Sequence, residues 1–443
     1  MKEQELYTKH ELHLHLYGCL DADDVWQLGR KAWRERTDGL EWYADEYEKV
    51  WGRRPDWKSY WEKEDGRERL RRDYLFQTPS TLDHFLACIN LSIAMFPITP
   101  DNVEVLDHIL HRMKHSGLRY AELRNPLPTR FGEDETRRYL STFAKSVLTF
   151  EMKHGASFIP RIPISLSRED EDLYRLYGYL RRWLDGNPEL AAAIPAIDFC
   201  HAEEGFPPKH KKEFFKRVQE DNAKSPRTAL AILYHVGESF QTISIESSAR
   251  WVWQTHTWGA HRLGHCISLG VPPQLMVGKS VRERVEERLD HISFLLENKS
   301  WLRKNGYIVD ETEILKEREA LRRRSPDERL DRTYTEDDVP RIRAFQDALM
   351  DDLREKKAMI ECNPSSNLLI GNIPSPEFHP LRRFLAKGLN VSISTDDPGL
   401  FNTSMQKEEQ LCSEKMGLSV EDLRRLAKNA ELATASQLVR RKL

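Results

Sequence analysis

The sequence predicts an α/β protein built as a closed, TIM-type (β/α)8 barrel that carries two helical insertions. Eight short apolar runs of strand character recur along the 443 residues, with helix-patterned segments between them. That alternation implies a parallel sheet, and the length suits one barrel with insertions. Several runs end in or just before His or Asp, and a closed barrel brings all its strand C-termini to one face. A doubly wound open sheet is the runner-up. No G-x-G-x-x-G opens a helix to support it, and Gly278-Lys279-Ser280 is no phosphate loop, because Pro273 stands where that loop needs a glycine.

Glu11-Leu12-His13-Leu14-His15-Leu16 is the first strand. Its leucines alternate with Glu, His and His, so His13 and His15 share a face. Residues 26–80 form the first insertion, read as helices broken at Pro55 and Gly66. Its tryptophans (Trp26, Trp33, Trp42, Trp51, Trp57 and Trp61) are expected to pack against the body, with a homo-oligomer surface or a lid as the alternative. Tyr120 to Arg124 is the second strand, stopped by Pro126 and Pro128. Phe158–Leu166 is the third, weakened by its prolines. Ala193–Cys200, Leu230–His235, His261–His265, Ala358–Cys362 and Asn390–Thr395 complete the eight. Helices are expected at Lys209–Asp221, Ser244–Trp253 and Val339–Lys356. The second insertion, residues 270–340, is charge-dense, with opposite charges spaced for exposed helix from Arg282 to Arg288 and from Lys316 to Arg324.

Composition excludes some roles. Charged residues make up 31% and hydrophobic residues 39%, a globular chain with a polar surface. A net charge of -3 argues against a general nucleic-acid or membrane-surface role. The six cysteines contain no C-x-x-C pair, so no disulfide framework is indicated and a reducing cytoplasm is expected. The first residues, MKEQELYTKHE, lack an apolar signal core, and no run of about 18 apolar residues occurs.

The chemistry lies at the strand ends. Ser394-Thr395-Asp396-Asp397-Pro398 closes the eighth strand, and two adjacent carboxylates there are costly unless a cation sits beside them. Asp-Asp alone is equally at home as a turn pair. The first strand adds His13 and His15, the fifth His235 with Glu238 after it, the sixth His265. Three imidazoles and a carboxylate suit Zn²⁺, one per chain. Two H-x-x-E segments compete, His201 to Glu204 and His235 to Glu238. The second fits better, because Gly237 lets the backbone bring Glu238 back over the metal.

The segments ELHLHLYGCL, AELRNP, YHVGES, HRLGHC, ECNPSSN and SISTDDPGLF resemble, in content and order, the adenosine and AMP deaminases of the metal-dependent amidohydrolase superfamily. The resemblance runs from residue 11 to about 404 and leaves out both insertions. It implies hydrolytic deamination of an adenine nucleoside or nucleotide, a small-molecule partner. His13, His15, His235 and Asp396 match the zinc ligands, Glu238 the proton-transferring glutamate, His265 the histidine that orients the attacking hydroxide, and Asp397 the aspartate that hydrogen-bonds the purine. Tyr17, His201, Gly237 and Asp397 are the expected substrate contacts. The rim departs from the family. Tyr17 replaces an acid, Phe199 to Glu204 replace a glycine-containing turn, Cys266 replaces a glycine, and Asn363-Pro364 replaces Cys-Pro. Adenosine, AMP, larger adenine nucleotides and modified adenosines therefore stay open. Tyr17, a neutral phenol, is expected to admit a 5′-phosphate that a carboxylate would repel, with His201 and the Arg- and Lys-rich insertions adding positive charge that Glu203 and Glu204 oppose. A zinc hydrolase acting on another ring or amide, and a catalytically weak binding protein, are the alternatives; the retention of Glu238 and Asp397 counts against the latter.

Overall fold

The computed structural model describes residues 6–100, 102–155, 157–238, 240 and 242–441. Ser239 of YHVGES and the first five residues lie outside them.

Eight parallel strands follow one another around the sheet: β1 (His10–His15), β2 (Tyr120–Pro126), β3 (Ile159–Arg161 and Ile164–Ser165), β4 (Ala196–Asp198), β5 (Ala231–Val236), β6 (Arg262–His265), β7 (Met359–Cys362) and β8 (Asn390–Ile393). A parallel bridge from Leu14 to Asp396 joins the last strand to the first and closes a TIM-type (β/α)8 barrel. Most strand boundaries differ from expectation by a residue or two, and three of the differences involve proline. β2 runs on through Pro126. β3 is split because Pro163 has no N–H for the ladder, although its carbonyl still accepts from the Asn125 N–H at 2.9 Å. β4 is shorter than read, because Ala191–Ala193 coils into a 3₁₀ turn and Pro195 precedes the strand.

The barrel interior is charged, and the two-residue period of the strands explains how. Glu122 and Arg124, two apart on β2, are both completely buried, as are Arg262 on β6 and Glu361 on β7. Arg262 pairs with Glu122, and its Nε lies 2.6 Å from Glu361 Oε1; Arg124 pairs with the same Glu361. Such a network specifies the strand set, since breaking one buried pair costs about 3–5 kcal/mol.

Between β1 and β2 lie the helices Ala22–Ala32, Thr37–Trp51, Ser59–Glu62, Gly66–Tyr74, Leu82–Met95 and Glu104–His115. Gly66 opens a helix there rather than ending one. Trp33 stacks on Trp61 with centroids 6.0 Å apart and meets Trp57 edge-on, and Trp33 and Trp57 are buried. Between β6 and β7 the segment read as charged helix is mixed. Ser280–Arg284 and Arg329–Thr333 form an antiparallel hairpin, and helices Val285–Glu297, Lys299–Lys304 and Glu311–Leu321 lie between its strands. Among the described residues, no helix is long and apolar enough to cross a membrane.

Candidate active site

The seam that closes the barrel builds the site. The His15 N–H donates to the Asp396 carbonyl at 3.0 Å, and the Asp396 N–H donates to the His13 carbonyl at 3.2 Å. This lays the end of β8 against the two histidines of β1. His13 Nε2 lies 3.0 Å from His235 Nε2 and 3.3 Å from Asp396 Oδ1; His15 Nε2 lies 3.2 Å and 3.3 Å from the same two atoms. Ligand bonds of about 2.0–2.1 Å in a tetrahedron give edges of about 3.3 Å. Four of the six donor–donor distances thus match a tetrahedral ion, and all four donor atoms lie within 4.8 Å of one another.

Other groups fix the free nitrogen of two of these imidazoles. His13 Nδ1 is 2.9 Å from Glu361 Oε2, and His235 Nδ1 is 2.8 Å from the Phe199 carbonyl and 3.2 Å from Asp198 Oδ1. Acceptors at Nδ1 place the proton there and leave Nε2 with its lone pair facing the cluster. Burial holds His235 neutral, down at about 3, and lowers His15. Arg124, which sequence reasoning did not single out, sits beneath the cluster with Nη1 2.9 Å from His13 Nε2 and 3.4 Å from Asp198 Oδ1. Within this nest two guanidinium groups, Arg124 and Arg262, face four buried carboxylates, Glu122, Asp198, Glu361 and Asp396. The excess of two negative charges suits a divalent cation, and the N₃O donor set suits zinc.

Glu238 and His265 stand beside this cluster, His265 Nε2 lying 3.6 Å from Glu238 Oε1 and 3.9 Å from Asp396 Oδ2. The Asn367 side-chain carbonyl accepts from the Asn363 N–H at 3.2 Å, which turns its amide NH₂ toward His265 Nδ1 at 2.9 Å. His265 therefore carries its proton on Nε2, aimed at the site. Burial, then the charges of Asp396 and Glu203, push the Glu238 carboxyl well above the usual range; burial and Asp396 do the same to Asp397. Non-glycine residues at both strand ends, His265, Cys266 and Asp396, have left-handed backbones, the kind of strain that collects at functional sites.

Two glycines have definite tasks. Gly237 has φ 69°, and a Cβ there would lie 2.5 Å from Ser268 Oγ. It shapes the turn, its N–H donating to Glu203, and it is not among the cavity-lining residues. Gly18 packs flat on Asp397, where a Cβ would lie 1.6 Å from Oδ1. Gly18→Ala is expected to displace Asp397 and to cost about 1–3 kcal/mol of stability through overpacking, which a melting curve checks.

Tyr17, His201, Glu238, His265, Asp396 and Asp397 line one cavity. Tyr17 is buried and His201 is exposed at the rim. Helix Leu82–Met95 covers the opening with Leu82, Phe85, Leu86, Ile89 and Ile93. Among the described lining residues no Lys occurs and the only Arg is the fully buried Arg124, while Arg168 and Arg130 lie close enough to act on His201 and Tyr17. Arg329 of the second insertion instead pairs with Glu204 at 2.5 Å. Glu203, in the competing segment His201 to Glu204, accepts the N–H groups of Gly237 and Glu238 at 2.9 and 3.0 Å and is turned to the backbone.

The fold is thus a closed parallel barrel with three His and an Asp gathered at its C-terminal strand ends. Residues 327–443 match the family described as adenosine deaminase. An adenine deaminase of Rhizobium leguminosarum bv. trifolii is 36% identical over 90 residues, 20% of this chain and 28% of that relative. The matched stretch thus spans under a third of that relative's length. In structure, the adenine deaminase of Arthrobacter aurescens aligns over 98% of both chains with a TM-score of 0.56 and 17% identity. A Burkholderia ambifaria amidohydrolase with bound Zn covers 96% of this chain and 84% of its own (TM-score 0.53, 15% identity), and Arabidopsis ADAL complexed with GMP covers 97% and 92% (0.52, 15%). The C-terminal quarter of the chain thus matches the adenosine deaminase family, and the chain as a whole shares the fold of these deaminase structures.

Proposed function

We propose that this chain hydrolytically removes the 6-amino group of an adenine-type purine, with water entering and ammonia leaving to give the 6-oxo product. The observation that carries the reading is the meeting of a four-donor cluster, a carboxyl pushed toward its protonated form and an imidazole N–H in one cavity. Zinc held by His13, His15, His235 and Asp396 would supply hydroxide at neutral pH by lowering the pKa of its water. Glu238 would give its proton to ring N1, making C6 electrophilic. His265 Nε2–H would donate to the entering oxygen as it gains charge. Asp397, whose buried Oδ1 has no hydrogen-bond partner, would accept from the purine and orient it. The names of the similar proteins, an adenine deaminase and a GMP-bound ADAL, support a purine ligand and leave its substituent open.

The lining favours a neutral purine. A buried phosphate needs a cation, and the apolar face of helix Leu82–Met95 offers none. Adenine or adenosine is expected to exceed AMP in kcat/KM by about tenfold or more, the reverse of what Tyr17 alone suggested. Ultraviolet absorbance on adenine, adenosine, AMP, ATP and N6-methyl derivatives, with and without a chelator, tests both points. Preference for AMP would overturn the reading of the lining; inactivity on all of them would overturn the proposed reaction.

A further inference from the structure

The hairpin of the second insertion reaches back to the segment that carries Glu238. We propose that it braces this segment, with Glu283 as its main positioning residue and Tyr334 as a second. This rests on the reading of Glu238 as proton donor.

The hairpin strand Ser280–Arg284 alternates, with Val281 and Glu283 buried and Ser280 and Arg282 exposed. A buried acid on the inner face of a surface hairpin needs partners, and Glu283 finds them at one place. Its Oε1 accepts from the Ser244 N–H at 3.0 Å and the Ser244 hydroxyl at 2.7 Å. Ser244 is the N-cap of helix Ile245–Trp258, six residues after Glu238, and caps the Ser247 N–H at 3.2 Å. The next residue is held as well. The Ile245 N–H donates to the Tyr334 hydroxyl at 2.9 Å, and that hydroxyl donates to Glu246 Oε2 at 3.2 Å. Arg332 lies 3.0 Å from Glu246 Oε1, and Arg341 lies 3.3 Å from it.

Apolar packing follows the same route. Phe240, two residues after Glu238, belongs to a small core cluster with Ile245, Val281 and Tyr334, separate from the main core. At its other end the turn is held by Glu203, whose neighbour Glu204 pairs with Arg329 of the hairpin. The stretch from Gly237 to Glu246 is thus anchored at both ends by carboxylates. The hairpin supplies the C-terminal anchor directly and touches the other through Arg329. None of these hairpin side chains lines the cavity, so their action runs through the placement of Glu238.

The experiment uses the full chain with Glu283→Ala and Glu283→Gln, each in the wild-type and Glu238→Gln backgrounds. Glu283→Ala is expected to lower kcat about tenfold with KM and metal content within about twofold. Glu283→Gln keeps an acceptor for Ser244 and should restore most of that loss. In the Glu238→Gln background Glu283→Ala should add nothing, because its effect passes through a group already removed. Independently of turnover, amide hydrogen exchange of peptides covering Gly237 and Ser244 should quicken about tenfold in Glu283→Ala, with peptides of β7 and β8 unchanged. Unchanged exchange at Gly237 and Ser244, or quickening spread over the barrel, overturns the brace. So does a full tenfold loss in the double variant. If wild-type chain deaminates no purine, the proposed function fails while the exchange result still decides the brace.

Discussion

Replacing Asp396 is expected to empty the metal cluster and reduce turnover by more than about 10²-fold. The carboxylate lies 3.3 Å from both His13 Nε2 and His15 Nε2, so it supplies one donor and the only negative charge among the four. Burial opposes its ionisation, but the His13 and His15 imidazoles and His265 hold its pKa well below the usual range. Without it a dication would face three neutral imidazoles with Arg124 beside them, and the excess of buried negative charge would be halved. Losing an outer partner of a metal ligand typically costs 10- to 100-fold, so a ligand that also carries the charge should cost more. The substitution needs care, because Asp396 has φ 64° and its main chain closes the barrel. Asp396→Asn tolerates that conformation better than Asp396→Ala and keeps the shape of the side chain. Both should lose metal by elemental analysis, with the Asn variant retaining nearly the wild-type melting temperature. An Asn variant that keeps a full metal complement and full activity would remove Asp396 from the ligand set.

How far the sequence discloses this site depends on the range of the interactions. His13 and His15 are readable because a strand repeats every two residues and leucines mark the other face. His235, His265 and Asp396 are readable because each ends an apolar run. Arg124 stands two residues from Glu122 on a strand buried on both faces, a visible signal, but its partners Asp198 and Glu361 come from strands far along the chain. Asn367 sits within a quoted motif, yet its task depends on Asn363 fixing its amide. Glu203 is 34 residues from the turn it holds, and no local pattern pairs them. The hairpin was misread because its opposite charges mimic helical spacing. Those charges in fact meet across strands, with Arg282 Nε 2.8 Å from Asp331 Oδ1, while Val281 and Glu283 alternate inward. Tyr17 is the least legible residue: one residue type cannot report the polarity of a cavity whose wall also comes from helix Leu82–Met95.

Glu238→Gln is expected to lower kcat by roughly 10²–10⁴-fold, the range typical of a lost general acid–base group. That corresponds to about 2.7–5.4 kcal/mol of barrier at 1.36 kcal/mol per tenfold. The substitution isolates proton transfer from binding. The turn is held through main-chain N–H groups of Gly237 and Glu238 donating to Glu203, and these are untouched by a change at the side chain. An amide of the same shape can still accept the N1–H of the 6-oxo product through its carbonyl oxygen, so affinity for that product should stay within about threefold. It has no proton to give at neutral pH. The carboxyl can give one, because burial, aided by the charges of Asp396 and Glu203, pushes it toward its protonated form. Metal content should be unchanged, since Glu238 is not among the four clustered donors. Elemental analysis, product titration and single-turnover kinetics on the same preparation separate these effects. Near-normal turnover in the variant would move the proton transfer elsewhere, with His265 the nearest remaining group at 3.6 Å. A loss of metal together with activity would instead make Glu238 part of the ion's own shell.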